Sequence, residues 1–173
     1  MTVLSVDIPV LTTERLVLRE PRETDFERHL AFLETERTHN DGPEVSRAAA
    51  WRKFSGRVGE WLLHGFGYWT LEMRDSGAIA GTVGFLTRGG DTPDLGWVVY
   101  EGYEGRGLAY EAAMAARRHA AQAMNMHSVI SLVPPGNMRS RKLAERMGAT
   151  PEREIALEGH PCVIYRHPER CVQ

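Results

Sequence analysis

The stretch from Leu95 to Ala112, LGWVVYEGYEGRGLAYEA, carries an apolar strand into a glycine turn and straight out into a helix. The first amides of a helix have no intrahelical acceptor and sit at the positive end of its dipole. Glycines at 105 and 107 let an anion approach the main chain closely. A pyrophosphate is the natural guest of such a turn. The flanks discriminate among the families that use one. A P-loop ends in Gly-Lys-Ser/Thr, whereas Gly107 is followed by Leu108 and Ala109. A dinucleotide fingerprint needs a third glycine where Tyr110 stands, and an acidic end to the next strand, which here runs from His127 into Pro134 and Pro135. Only Gly105-x-Gly107 speaks for a nicotinamide-dependent oxidoreductase.

Other classes are excluded by charge and composition. The 173 residues carry a net charge of −2, so there is no overall basic field for nucleic acid or an anionic membrane. The segment Met1 to Val10 lacks a basic n-region and contains Asp7, and no apolar run approaches the ~18 residues of a membrane span. The expectation is a single cytoplasmic domain over 1–173. Cys162 and Cys171 are the two cysteines, too few for a disulfide framework or a zinc site, and they read as reduced thiols. No metal site is expected.

Periodicity outlines an α/β plan. A strand is expected over 14–20, then a helix from Glu23 to Glu36 with Phe26, Leu30 and Leu33 on one face. A second helix from about Val45 to Leu63 spaces Trp51, Phe54, Val58, Trp61 and Leu62 by threes and fours; its Gly56 and Gly59 weaken it and would permit bending or close approach of a substrate. Strands at 67–73 and 78–86 are joined by Asp75-Ser76-Gly77, and a third at 94–100 completes an antiparallel meander. An alanine-rich helix over 107–124, a strand over 127–133, a helix over 137–147 and strands near 150–157 and 162–166 follow.

Read with its flanks, the glycine turn resembles the acetyl-coenzyme A loop of the GNAT superfamily of N-acetyltransferases, Gln/Arg-x-x-Gly-x-Gly/Ala. Here Glu104 takes the first position, Gly107 the glycine and Ala109 the last. A second block resembles the same family: a strand, then Asn137-x-x-Ser140 opening a helix that closes on Gly148-Ala149. The family's frequent helix Tyr, which protonates the departing thiolate, would fall on Ala144. Leu11-Thr12-Thr13-Glu14-Arg15-Leu16-Val17-Leu18-Arg19 is similar to the opening strand of the branch that resembles ribosomal-protein N-terminal acetyltransferases, and the likeness extends over about 11–167.

The resemblance implies a GNAT-like fold, a mixed α/β (α+β) single domain. Its splayed, largely antiparallel sheet would have about seven strands flanked by about four helices. It implies acetyl-CoA as co-substrate and a primary amine as acceptor, either a protein N-terminus or a small molecule, in a monomer or homodimer. The pantetheine arm would pair with Trp97, Val98 and Val99, the pyrophosphate would rest on Gly105, Arg106, Gly107, Leu108, Ala109 and Tyr110, and Asn137 would bind the arm from the facing turn. Asn137 reads equally as a helix cap, and Arg106 as an exposed loop arginine. Asp94 is the candidate general base, or a solvated turn carboxylate. Ser140 is the candidate partner of the thiolate, or a polar first-turn residue.

The acceptor pocket is expected from the first two helices, their loop near Thr35 to Pro43 and the hairpin strands, with Trp51, Tyr68 and Trp69 as walls or core. His39 and His64 read as surface or packing histidines, and Glu111 as decoration of a helix start. Arg139, Arg141, Lys142 and Arg146 share a helix, as a solvated face or as attraction for the CoA 3′-phosphate. The competing reading is a non-catalytic acyl-CoA-binding module of the same fold, which Glu104 and Ala144 favour.

Overall fold

The computed structural model describes residues 5–35, 46–88 and 92–169. The loop expected to wall the acceptor pocket, His39 and Cys171 therefore lie outside the described residues. The sheet is built of β1 (Leu11–Thr12), β2 (Leu16–Arg19), β3 (Tyr68–Met73), β4 (Ile79–Leu86), β5 (Asp94–Val99), β6 (Ile130–Val133), β7 (Thr150–Leu157) and β8 (His160–Arg166). The helices are α1 (Phe26–Leu33), α2 (Arg47–His64), α3 (Leu108–Ala123) and α4 (Met138–Arg146). The strand order is β1-β2-β3-β4-β5-β6-β8-β7, antiparallel everywhere except between β5 and β6. Eight strands stand where about seven were expected, because the short β1 adds an edge to β2. No helix among the described residues is long and apolar enough to cross a membrane.

The parallel β5–α3–β6 unit is the one feature shared with dinucleotide-binding folds. Those folds repeat the unit, whereas here the chain continues into antiparallel β7 and β8. The oxidoreductase reading therefore has no architecture to rest on.

Two layers of packing hold the helices. On one face α3 lays Ala112, Ala113, Ala116 and Ala120, all fully buried, against the sheet with Leu16, Leu71, Val83, Phe85 and Leu95. Short side chains let the helix axis approach the strands closely, as the alanine content predicts. On the other face α1 and α2 pack through Phe26, Leu30, Ala50 and Phe54. Helix α2 is capped by Ser46, whose side chain accepts from the Ala49 amide at 3.2 Å, and ends on Gly65 at φ 74°. Its periodicity is only half fulfilled. Phe54 and Trp61 are buried, but Trp51 and Leu62 are exposed. Gly56 and Gly59 face open space with no atom within 4 Å of a Cβ, so no close approach requires them.

The helix expected over 23–36 begins instead as a 3-10 turn at Glu23–Asp25 and turns α-helical at Phe26. A buried charge fixes that start. The Asp25 carboxylate receives two hydrogen bonds from the Arg19 guanidinium, at 2.8 and 2.9 Å, one from the Arg22 amide at 2.9 Å and one from Thr70 at 2.9 Å. Arg19 also pairs with Glu72 at 2.6 Å. Burial pushes the Asp25 carboxyl up, yet the Arg19, Arg22 and Thr70 donors and the guanidinium charge outweigh it and hold it below its ordinary value.

Asp25→Asn removes one of the two carboxylates that neutralise the buried Arg19 guanidinium, leaving Glu72, and is expected to lower stability by about 1 to 3 kcal/mol in denaturant titration at pH 7. Because the folded-state pKa is depressed, the pairing is present above about pH 4 and fades as pH falls through the folded value. The gap between variant and wild type should narrow below pH 4. A gap that is constant with pH would mean that shape, not charge, is what the variant disturbs.

Candidate active site

The sheet opens between β5 and β6. Their register contains the single pair Asp94↔Ile130. Beyond it the strands part, and a cleft of about 770 Å³ fills the gap. Trp97, Val98 and Val99 form one wall, and Asn137, Ser140 and Leu143 at the start of α4 the other. Glu104, Gly105, Gly107, Leu108, Ala109 and Tyr110 close the end.

That end is a main-chain cradle. Gly105 and Gly107 adopt φ of 72° and 77°, the left-handed region that favours glycine. Gly107 is the N-cap of α3 and supplies no side-chain acceptor, so the first-turn amides of Leu108, Ala109 and Tyr110 are directed at whatever anion enters. A Cβ on Gly107 would meet only the Arg15 guanidinium, at 3.6 Å. The Glu104 carboxylate is turned back onto its own loop, accepting from the Gly102 amide at 2.9 Å, which moderates the repulsion expected of an acid in this position.

A clamp from the opposite end of the chain holds the cradle. Arg15 donates to the Arg106 carbonyl at 2.7 Å and to Glu111 through Nε at 2.7 Å. Glu111 also accepts from the Arg15 amide at 2.8 Å and from Thr13 at 2.6 Å. Burial raises the Glu111 carboxyl, but these donors lower it further than burial lifts it. Glu111 thus ties the β1–β2 turn to the glycine loop, a role that its position in the helix's first turn does not reveal.

Of the expected anion ligands, Arg106 is the one that the cleft wall omits. Its side chain is exposed and lies beside the Tyr103 ring, 5.8 Å from the centroid. Positive charge comes instead from α4. Arg139, Lys142 and Arg146 line the cleft, and Arg146 stacks over Tyr110 at 4.1 Å. Arg141, from the same basic cluster, points elsewhere and binds the Tyr165 hydroxyl at 2.9 Å. Phe32 and Tyr103 complete the wall, and no motif singled them out.

Asn137 caps α4, its side-chain oxygen accepting from the Ser140 amide at 3.1 Å, and still lines the cleft. Ser140 stands at the positive end of that helix. Ala144 is fully buried against Val133, Ala149 and Tyr165.

The structure places Asp94 outside the cleft lining, at the closed end of the gap, four residues and roughly 13 Å along β5 from Val98. Its Oδ1 accepts from the Leu132 amide at 3.0 Å, and its Oδ2 lies 3.0 Å from Arg88 Nε, an ion-pair distance whose angle makes no hydrogen bond. Burial raises this carboxyl, against the opposing pull of Arg88 and the Leu132 amide. Next to it Ser131 donates to the Leu95 carbonyl at 2.7 Å and meets His167 Nε2 at 2.9 Å. These contacts join β5 to β6. Trp69 is core, its indole bound to the Pro9 carbonyl at 2.8 Å, and Trp51 packs outside the cleft against Phe26 and Phe54.

Residues 15–150 match the family model described as the acetyltransferase (GNAT) domain. The chain is 31% identical over 149 residues to the [ribosomal protein uS5]-alanine N-acetyltransferase of Escherichia coli, covering 80% of this chain and 76% of that protein. It is also 31% identical over 77 residues to the uncharacterized N-acetyltransferase YnaD of Bacillus subtilis, a match that spans 44% of this chain and less than half, 45%, of that protein. Among solved structures, an acetyltransferase from Agrobacterium tumefaciens superposes with a TM-score of 0.81 at 32% identity, covering 96% of this chain and 98% of that one.

Glu111→Gln replaces an acceptor of three hydrogen bonds with a neutral group that must donate at one end. The expected cost is about 1 to 3 kcal/mol, seen as a Tm lower by about 3 to 10 °C in calorimetry. An unchanged Tm would show that the clamp contributes nothing to the fold.

Proposed function

The chain belongs to the GNAT family of acetyltransferases and is an N-acetyltransferase, and we propose that it transfers acetyl from acetyl-CoA directly to a primary amine held in the same cleft. One observation carries this reading: the parting of β5 and β6 leads into a cradle of main-chain amides at Gly107–Tyr110, faced by the cations of α4. An extended arm ending in a pyrophosphate and a further phosphate has the shape and charge that this combination complements. The fit extends to the cleft's apolar wall at Trp97, Val98 and Val99, against which such an arm would lie as an added strand.

Acetyl-CoA supplies the activated acyl group; the protein supplies position and charge. The new C–N bond forms as the C–S bond breaks, with both reactants held in one orientation. Main-chain amides of β5 near Val98 stabilise the negative charge that develops on the carbonyl oxygen. The amine loses its proton to solvent at the open side of the cleft, since Asp94, the expected base, is walled into the β5–β6 junction. The Ser140 hydroxyl hydrogen-bonds the departing sulfur, and the α4 N-terminus favours its negative charge. The acceptor is a protein N-terminus or a small-molecule amine; the name of the E. coli relative supports the former class.

Calorimetric titration with acetyl-CoA tests the donor half. Gly107→Asp places a carboxylate in the cradle and is expected to weaken binding at least 100-fold, whereas Gly107→Ala carries only the ~1 to 2 kcal/mol strain of a left-handed residue. Equal loss in both variants would assign the effect to backbone strain rather than to the anion site.

Ser140→Ala is expected to lower kcat by about 100-fold, the small end of the range for a positioned acid, because a thiolate leaves readily. The KM for acetyl-CoA should be unchanged. A rise in KM with kcat unchanged would make Ser140 a binding residue only.

A further inference from the structure

The face of the sheet opposite α3 holds a cation that no carboxylate among the described residues neutralises. Arg57, half-buried on α2, places its guanidinium 4.7 Å from the Tyr68 ring centroid and its Nη1 3.3 Å from the Thr82 hydroxyl. The nearby acids are committed elsewhere. Asp25 is engaged by Arg19, Asp94 is paired with Arg88, and Glu60 accepts from Thr87 at 3.2 Å and contacts His64 at 3.0 Å. The other groups around Arg57 are the hydroxyls of Tyr68, Thr82 and Tyr100, the Arg28 guanidinium over the Tyr100 ring at 5.5 Å, and His29, whose imidazole burial, aided by the Arg57 charge, lowers to about 3. Arg57 is also the largest influence opposing burial in the upward shifts of Tyr68 and Tyr100. A guanidinium in such a setting favours a carboxylate, which it can hold bidentately.

Register fixes where that charge sits relative to the chemistry. Thr70, Thr82 and Val98 are partners across β3, β4 and β5, so their side chains share one face. In the adjoining row Tyr68, Gly84 and Gly96 are partners. Gly84 and Gly96 leave the trough in which the Tyr68 ring lies: a Cβ on Gly96 would stand 1.9 Å from its hydroxyl oxygen. Arg57 spans both rows, one strand away from Val98, whose other neighbour is the cleft. Thr82, which Arg57 touches, thus stands one strand, about 4.8 Å, from Val98 on β5.

We propose that Arg57 is an anion subsite of the acceptor pocket, and that the amine acetylated here carries a carboxylate close to its amino group, as an α-amino acid or an acidic amino-terminal residue does. The inference rests on the acetyltransferase reading above and names the acceptor class for it. Arg57 here determines specificity and takes no part in bond making.

The test uses two matched pairs, alanine against alaninamide and the amidated peptide Asp-Ala-Ala against Asn-Ala-Ala, on the CoA-loaded protein. Calorimetry reads binding, and thiol release from acetyl-CoA reads transfer. At least one carboxylate member should bind tenfold or more tightly than its amide partner, and Arg57→Gln should erase the preference while Tm and acetyl-CoA affinity stay within error. Preference in the first pair alone identifies a free amino acid, in the second an acidic chain terminus. Arg57→Lys should restore part of it, because it keeps the charge without the fork. Equal binding within both pairs, or equal weakening of both members by Arg57→Gln, overturns the proposal. A retained preference with no thiol release from any of the amines would overturn the transfer reading and leave the anion subsite standing.

Discussion

The molecule depends on how β5 and β6 are joined. A parallel pair with one register partner is a weak seam, and the chain reinforces it with side chains instead of further ladder bonds. Asp94 takes the Leu132 amide, Ser131 takes the Leu95 carbonyl, and His167 backs Ser131. All three are buried, where a polar contact is strong, although Asp94 Oδ2 and His167 Nδ1 make no hydrogen bond. The seam is thus held tightly at one end, which allows the strands to separate at the other without the sheet coming apart. The cleft follows from that asymmetry.

A second tie acts over a long sequence separation. Thr13 and Arg15, at the turn into β2, reach Glu111 and the Arg106 carbonyl. The glycine loop, with two left-handed residues and an exposed arginine, would be loosely determined on its own. Anchored to the N-terminal hairpin, it presents its amides in one arrangement. The donor side is therefore made by the N-terminal edge of the sheet together with its centre, although its motif occupies only a few residues.

Local chemistry made much of this legible in the sequence. The strand-turn-helix at 95–112 announces the cradle because glycine conformation and helix-start amides are properties of neighbouring residues. Asn137 and Ser140 were singled out by the resemblance to the family, and both line the cleft. What stayed hidden requires register or packing. Asp94 reads as the mouth of a strand, and only the pairing with Ile130 turns it into a seam residue. Glu111 reads as a helix-start acid until Arg15 is brought beside it. Arg139, Lys142 and Arg146 separate from Arg141 only once the rotation of α4 is known, and Trp51 shares the helical spacing of Phe54 without sharing its burial.

The cradle and the proposed acceptor face are composed differently. Donor contacts at the cradle come from the peptide backbone, so a change of side chain there alters little as long as Gly105 and Gly107 keep their left-handed turns; the glutamate at position 104 is tolerated on those terms. The proposed acceptor face, with Arg57, Tyr68, Thr82 and Val98, would recognise through side chains. Such a division lets mutation explore new acceptors while the cofactor stays the same, so that diversification within this architecture proceeds on one face of a single sheet.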